Sequence, residues 1–213
     1  MDSVLAGFSI NVKGRDNLKH EVTTLMTKRA LADSLKKFMV KKPLSKISIR
    51  EIIEDCGVNR QTFYYHFQDI NDLVEWMFEQ EAICLLKKSD SCLTWNDGLF
   101  LLFNYVSENQ KICECALNSL GRNYLEHLFY NEVTNLVGNI VRQLSEGLTV
   151  EEKYIEFISK FYTLSFASLL VEWLKQGMKE KPEEVMQLLD ITIHGNIRAA
   201  LERAADSESS LQH

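Results

Sequence analysis

A chain of 213 residues that is 46% hydrophobic and 25% charged can bury a core without a disulfide or a metal. Its two prolines and nine glycines are too little punctuation for a many-stranded sheet, which predicts an all-α fold. An odd count of five cysteines, no basic leader followed by a sustained apolar stretch, and a longest apolar run (Phe161 to Val171) short of the roughly 20 residues of a bilayer span argue for reduced thiols, no membrane span and a cytoplasmic chain that needs no cofactor. The net charge of −6 argues against a nucleic-acid partner only until its distribution is read, because Lys13 to His66 carry twelve Lys/Arg against six acids, leaving a strongly acidic remainder.

Residues 1–22 show no clean period and contain Gly7 and Gly14, which predicts a flexible or loosely docked N-terminal arm. A first helix is expected from an N-cap at Thr27, with Leu31, Leu35, Phe38 and Met39 on its buried stripe, until Pro43 forbids continuation. Lys36, Lys37, Lys41, Lys42 and Lys46 on this helix and its following loop read equally well as a DNA-facing patch or as an ordinary solvated face. Ser48-Ile49-Arg50-Glu51 has the form of a capping box, and Ile49, Ile52, Ile53 and Cys56 continue a short second helix. Gly57 sits where a left-handed cap is needed, and Asn59 can cap a third helix from Arg60 to Phe67. Asp69 and Asp72 open a fourth helix with Ile70, Leu73, Val74 and Met77 inward. Four more helical stretches follow, at about 95–108, 117–145, 151–177 and 183–204. The domain expectation is an arm (1–22), a DNA-binding domain (23–75), a helical regulatory and dimerisation domain (76–205) and a tail (206–213).

At 100° per residue, Phe63 and Phe67 share one face of the third helix while Gln61, Thr62 and Tyr65 point away. A short helix pinned by two phenylalanines, with Arg60, Gln61, Thr62, Tyr64, Tyr65 and His66 as donors, suits the major groove, where Arg and Gln read purine edges and hydroxyls hold phosphates. With the capped helix and glycine turn before it, this is a helix-turn-helix. The alternative, an aromatic core segment Tyr64-Tyr65-His66-Phe67, fails because four consecutive rings cannot face one core on a helix.

CGVNRQTFYYHFQDINDL resembles the signature of the TetR family of transcriptional regulators, and the helix order of the first 75 residues agrees with it. The resemblance implies that Arg60 and Gln61 approach bases, that Thr62, Tyr64, Tyr65 and His66 mainly touch the DNA backbone, and that Arg50 reaches the groove. The chain departs from the family where a phosphate-contacting Lys is common at the start of the fourth helix: it has Ile70. Free N–H groups at that helix N-terminus, Lys46, or basic residues of the first helix are the expected substitutes.

In the C-terminal half, Tyr154 to Leu174 is apolar on nearly every face, as for a helix packed on its own domain and on a second subunit. The self-pairing surface is expected to include Phe161, Ser165, Ser168, Leu169, Leu188 and Thr192, since the resemblance implies a dimer bundle built from the last two long helices. EWLKQGMKEKPEEV is similar to a TetR subgroup that includes an activator of dihydroxyacetone kinase. Trp95, Phe103, Tyr124, His127 and Phe166 are candidate lining for an effector pocket, each also readable as plain core. Cys113-x-Cys115 with His127 matches no strong zinc spacing, and no metal site is expected. No phosphate-cradling glycine loop, carboxylate pair or nucleophile motif points to an enzyme. The expected partners are operator DNA, a second copy of the chain, and an unidentified small-molecule or protein effector.

Overall fold

The structure is a computed structural model that describes the backbone of residues 3–88 and 95–209 and the side chains of residues 20–81, 97–131 and 133–207. Among the described residues every regular element is helical: α1 (Ser3–Met39), a 3₁₀ turn (Leu44–Lys46), α2 (Ile49–Cys56), α3 (Arg60–His66), α4 (Ile70–Lys88), α5 (Trp95–Glu108), α6 (Gln110–Leu120), α7 (Arg122–Ser145), α8 (Glu152–Lys175), α9 (Pro182–Ile193) and α10 (Asn196–Ser209). The chain divides into two compact units, Met1–Met77 and Phe78–His213.

In the first unit, Leu31, Leu35 and Met39 recur at four-residue spacing on α1 and are buried, as the helical period requires. Ser34, buried beside them, donates its hydroxyl to the Ile52 carbonyl at 3.1 Å and so ties α1 to α2. The helix does not begin at Thr27. It runs from Ser3, and the Thr27 hydroxyl donates to the Thr23 carbonyl one turn back, which is a bond made inside a helix and not a cap. Residues 3–22 are thus helical where the sequence suggested a flexible arm, since a glycine costs an exposed helix only about 1 kcal/mol.

The second unit is built around the long α7–α8 pair, with α6 and α10 packed on both helices and α5 packed on α7 and α9. Phe78, Tyr105 and Phe129 meet edge to face inside it, and the buried Tyr105 hydroxyl donates to Glu81. Arg122 joins α7 to α8 by pairing with Glu126 and Glu172, and the Ser168 hydroxyl donates to Glu126. At the end of α7, Arg198 from α10 donates through Nη1 to the carbonyls of Leu144 (2.7 Å) and Glu146 (3.1 Å), supplying a cation and donors where a helix terminus leaves acceptors unpaired.

Two expected helices are each broken. The stretch expected from 117 ends α6 at Leu120 and restarts as α7, and that expected at 183–204 divides at His194–Gly195; Gly121 (φ 86°) and Gly195 (φ 74°) take the left-handed backbone that stops a helix. Helix α6 was not anticipated at all before residue 117. By length and composition α8 is apolar enough to cross a membrane, contrary to the expectation that no segment reaches that measure. Its apolarity has two faces: Thr163, Phe166, Ala167, Leu170, Val171, Trp173 and Leu174 are buried, while Phe157, Phe161, Leu164 and Leu169 are exposed.

Candidate nucleic-acid interface

The turn that presents α3 is specified residue by residue. Ser48 accepts the Glu51 N–H, and Glu51 accepts from the Ser48 N–H, so the capping box at the start of α2 is complete. Lys42 also pairs with Glu51, and this ammonium, together with the Ser48 N–H and the Ser48 hydroxyl that both donate to the carboxylate, holds the Glu51 carboxyl down at about 2. Helix α2 ends at Gly57, whose φ of 71° lets the Gly57 and Val58 N–H groups both donate to the Ile53 carbonyl. Asn59 then caps α3, accepting from the Thr62 N–H at 2.8 Å and the Thr62 hydroxyl at 3.0 Å.

A seven-residue helix is too short to be stable alone, so its direction depends on what it buries. Phe63 is 0% exposed and Phe67 almost fully buried, their rings 6.0 Å apart. Phe67 also meets Trp76 of α4 edge-on, and the Lys28 ammonium of α1 lies 5.1 Å from the Phe67 ring centre and 5.4 Å from that of Trp76. Around this anchor, Arg60, Gln61, Tyr64 and Tyr65 are exposed, Tyr65 at 69%. Thr62 and His66 are half-buried. Partial burial and then the nearby Lys28 and His20 hold the His66 imidazole below its ordinary value, so it is neutral at pH 7.

Several residues behave differently from a simple list of donors. The Thr62 hydroxyl proton is engaged by Asn59, so that oxygen can accept but not donate without opening the cap. Arg50 is exposed and paired through Nε with Glu54 one turn on, a contact that costs little to exchange for another. Lys46 is exposed at the end of the 3₁₀ turn. Lys37 and Lys42 pair with Asp55 and Glu51, so part of the positive charge counted along the first helix is neutralised in the fold. Two of the N–H groups suggested as a phosphate seat at the N-terminus of α4 are already engaged: Asp69 accepts from Asn71 (2.7 Å) and Asp72 (3.0 Å), and Asp72 accepts from the Gln68 N–H just before the helix. Sequence reasoning missed Lys28, because only the folded chain brings it to the α3–α4 corner.

None of the four pocket candidates with described side chains lines the groove between α8 and α9. Phe103 and Phe166 are core residues, Phe103 with its ring 5.1 Å from that of Trp173; Tyr124 is half-buried, His127 is exposed, and the Trp95 side chain lies outside the described residues. That groove, of about 400 Å³, is lined instead by Leu169, Trp173, Val185, Leu188 and Leu189 with Glu172, Gln176, Glu180 and Thr192. Its exposed residues Leu169, Leu188 and Thr192 are ones assigned in sequence to self-pairing, and Phe161 and Ser165 are exposed on the same helix α8, while Ser168 is half-buried and bonded to Glu126. Cys113 and Cys115 are buried, and burial pushes the Cys113 thiol up to about 12.

Comparison with known proteins places this geometry among relatives. Residues 33–77 match the family model described as "Bacterial regulatory proteins, tetR family", and residues 93–195 match the model described as "Transcriptional regulator C-terminal region", so the two span about two thirds of the chain. A curated relative, the HTH-type dhaKLM operon transcriptional activator DhaS of Lactococcus lactis subsp. lactis (strain IL1403), is 28% identical over 118 residues, which is 55% of this chain and only 62% of the relative's length. Among solved structures, "Dihydroxyacetone kinase operon activator DhaS" superposes with a TM-score of 0.67 at 22% identity, covering 82% of this chain and 98% of that one. A TetR transcriptional regulator from Streptococcus agalactiae 2603V gives a TM-score of 0.55 at 22% identity, over 81% of this chain and 96% of that one. At such identity the two structures speak for the fold.

Proposed function

Because the chain belongs to the TetR family, whose members are DNA-binding transcription regulators and not enzymes, we propose that it binds a pseudo-palindromic operator as a homodimer. Residues 23–75 serve as the reading domain and residues 76–205 as the regulatory and dimerisation domain of a cytoplasmic protein. The observation that carries this reading is the pinned helix α3, with Phe63 and Phe67 buried and Arg60, Gln61, Tyr64 and Tyr65 outward. Arg60 and Gln61 read base edges and Arg50 reaches the groove; Tyr64, Tyr65 and Lys46 anchor to phosphates, and His66 and Thr62 contribute as a neutral ring and an acceptor oxygen. The role of the Lactococcus relative as a transcriptional activator favours activation.

Self-pairing uses the exposed residues Phe157, Phe161, Leu164 and Leu169 of α8 with Leu188 and Ile191 of α9, since so many large apolar side chains left exposed on two helices that share a groove favour an interface. Pairing would set two copies of α3 about 34 Å apart, one turn of DNA. An effector acts by binding the two spacings with different affinity. The α8–α9 groove has the volume of a small-molecule site, which supports a small-molecule effector. The breadth of the apolar face around it, with Phe157 70% and Ile191 81% exposed, supports the second reading, that a protein partner is sensed there.

The test is selection of bound sequences from a randomised duplex pool with the full chain. A recovered palindrome is expected, and Arg60→Ala should cost about 1–3 kcal/mol of specific binding and relax one base position. No enrichment at low ionic strength would overturn the reading.

A further inference from the structure

We propose that Tyr64 is a positioning residue that fixes the Arg60 guanidinium in its reading direction, so that base preference at one operator position depends on the tyrosine hydroxyl. This rests on the reading of α3 as the groove-facing helix.

Arg60 and Tyr64 are four residues apart and therefore neighbours on one helical face. Arg60 Nη2 donates to Tyr64 Oη at 3.2 Å, and the guanidinium carbon lies 5.5 Å from the centre of the Tyr64 ring. The ring is itself held, meeting Phe63 edge-on with centroids 5.6 Å apart and planes at 84°, and Phe63 is fully buried. A chain of contacts thus runs from the core through Tyr64 to a charged group that sequence alone would place on a long, freely turning stem. Tyr64 is 48% exposed against 69% for Tyr65, whose ring meets only His66 among the described aromatic contacts. An arginine that is already oriented loses less side-chain freedom when it engages a base, and that saving exists only for the geometry in which it is held.

The proton arithmetic makes the same side chain useful twice. Tyr64 Oη accepts from the guanidinium with a lone pair and keeps its own proton, which is free to go to a phosphodiester oxygen. The adjacent cation strengthens that donor. Thr62 cannot play this part, because its hydroxyl proton goes to Asn59. Tyr64 therefore links a backbone contact to a base contact, and moving one moves the other.

The experiment uses the full chain as wild type, Tyr64→Phe, Arg60→Ala and the double variant. Each is taken through selection from one randomised duplex pool. Each is then titrated against the wild-type consensus duplex and against duplexes changed at single base pairs. Tyr64→Phe keeps the ring on Phe63 and removes only the hydroxyl. It is expected to lose on the order of fivefold in preference at the base position that Arg60→Ala relaxes, and to lose nothing more at that position when Arg60 is already alanine. If Tyr64→Phe weakens every duplex alike with all base preferences intact, or relaxes the position equally without Arg60, the positioning role is overturned while the groove-reading helix stands. If Arg60→Ala itself leaves every preference intact, the assignment of Arg60 to base readout falls and the role of Tyr64 falls with it.

Discussion

Replacing Phe63 by alanine tests whether the buried ring, and not the seven-residue helix around it, holds the DNA-reading surface in place. The residue is 0% exposed and loses two ring contacts, with Phe67 at 6.0 Å and with Tyr64 at 5.6 Å. Truncating a buried phenylalanine costs about 3–5 kcal/mol, and loss of both ring pairs places this site near the middle of that range, at about 4 kcal/mol. Set against a typical total stability of about 5–15 kcal/mol, that raises the population in which α3 is open by roughly a thousandfold. Hydrogen exchange read by mass spectrometry separates the amides of α2 and α3 from those of α7 and α8. Protection is expected to collapse in the former and persist in the latter, with binding lost on specific and unrelated duplexes together. Phe63→Leu, which retains much of the volume, should cost about 1 kcal/mol and keep binding. A Phe63→Ala chain whose α3 amides stay within about 1 kcal/mol of wild type and which still selects its operator would refute the anchoring argument.

Gly57→Ala should destabilise the turn by about 1–2 kcal/mol in chemical denaturation although nothing lies within 4 Å of the added Cβ, because the cost is the left-handed backbone alone; Gly57→Asn should cost clearly less. The Glu51 carboxyl titrates at about 2 in the fold against an ordinary 4.5, so its contribution is fully present above 4.5 and is lost as pH falls from 4.5 toward 2. Glu51→Gln should therefore lower stability at pH 7 and flatten the acid slope of α2 amide protection over that window, and an unchanged slope would remove the Lys42–Glu51–Ser48 cluster as its source. Ile191→Glu, at a position 81% exposed, should leave the far-ultraviolet circular dichroism intact and convert the proposed dimer to monomer in sedimentation velocity; a persistent dimer would place self-pairing elsewhere.

What could be read directly from the residues was local chemistry. The Ser48–Glu51 box, the Gly57 cap, Asn59 and the Phe63/Phe67 face all depend on groups within four or five positions of one another, and each has the geometry expected of it. What could not be read depends on neighbours distant in sequence. Phe103 and Phe166 looked like pocket lining because aromatic side chains in a helical body are ambiguous until packing decides, and packing put them in the core while leaving a groove between α8 and α9. Thr27 looked like a cap, yet the helix passes through it, and the short α6 was hidden because Asn109, which opens it, makes no side-chain cap bond. The pairing of Lys37 and Lys42 with acids of α2 likewise appears only once two helices are side by side.

The way Arg198 closes the end of α7 has a consequence for acid conditions. Its acceptors there are the peptide carbonyls of Leu144 and Glu146, which carry no titratable proton, and a guanidinium keeps its charge throughout the physiological range. Those two bonds have no proton to gain, although the same guanidinium also pairs with the Glu202 carboxylate at 2.9 Å, whereas the Glu51 cluster loses its charge in strong acid. Strong acid should thus loosen the turn between α2 and α3 while the two Arg198–carbonyl bonds persist at the end of α7.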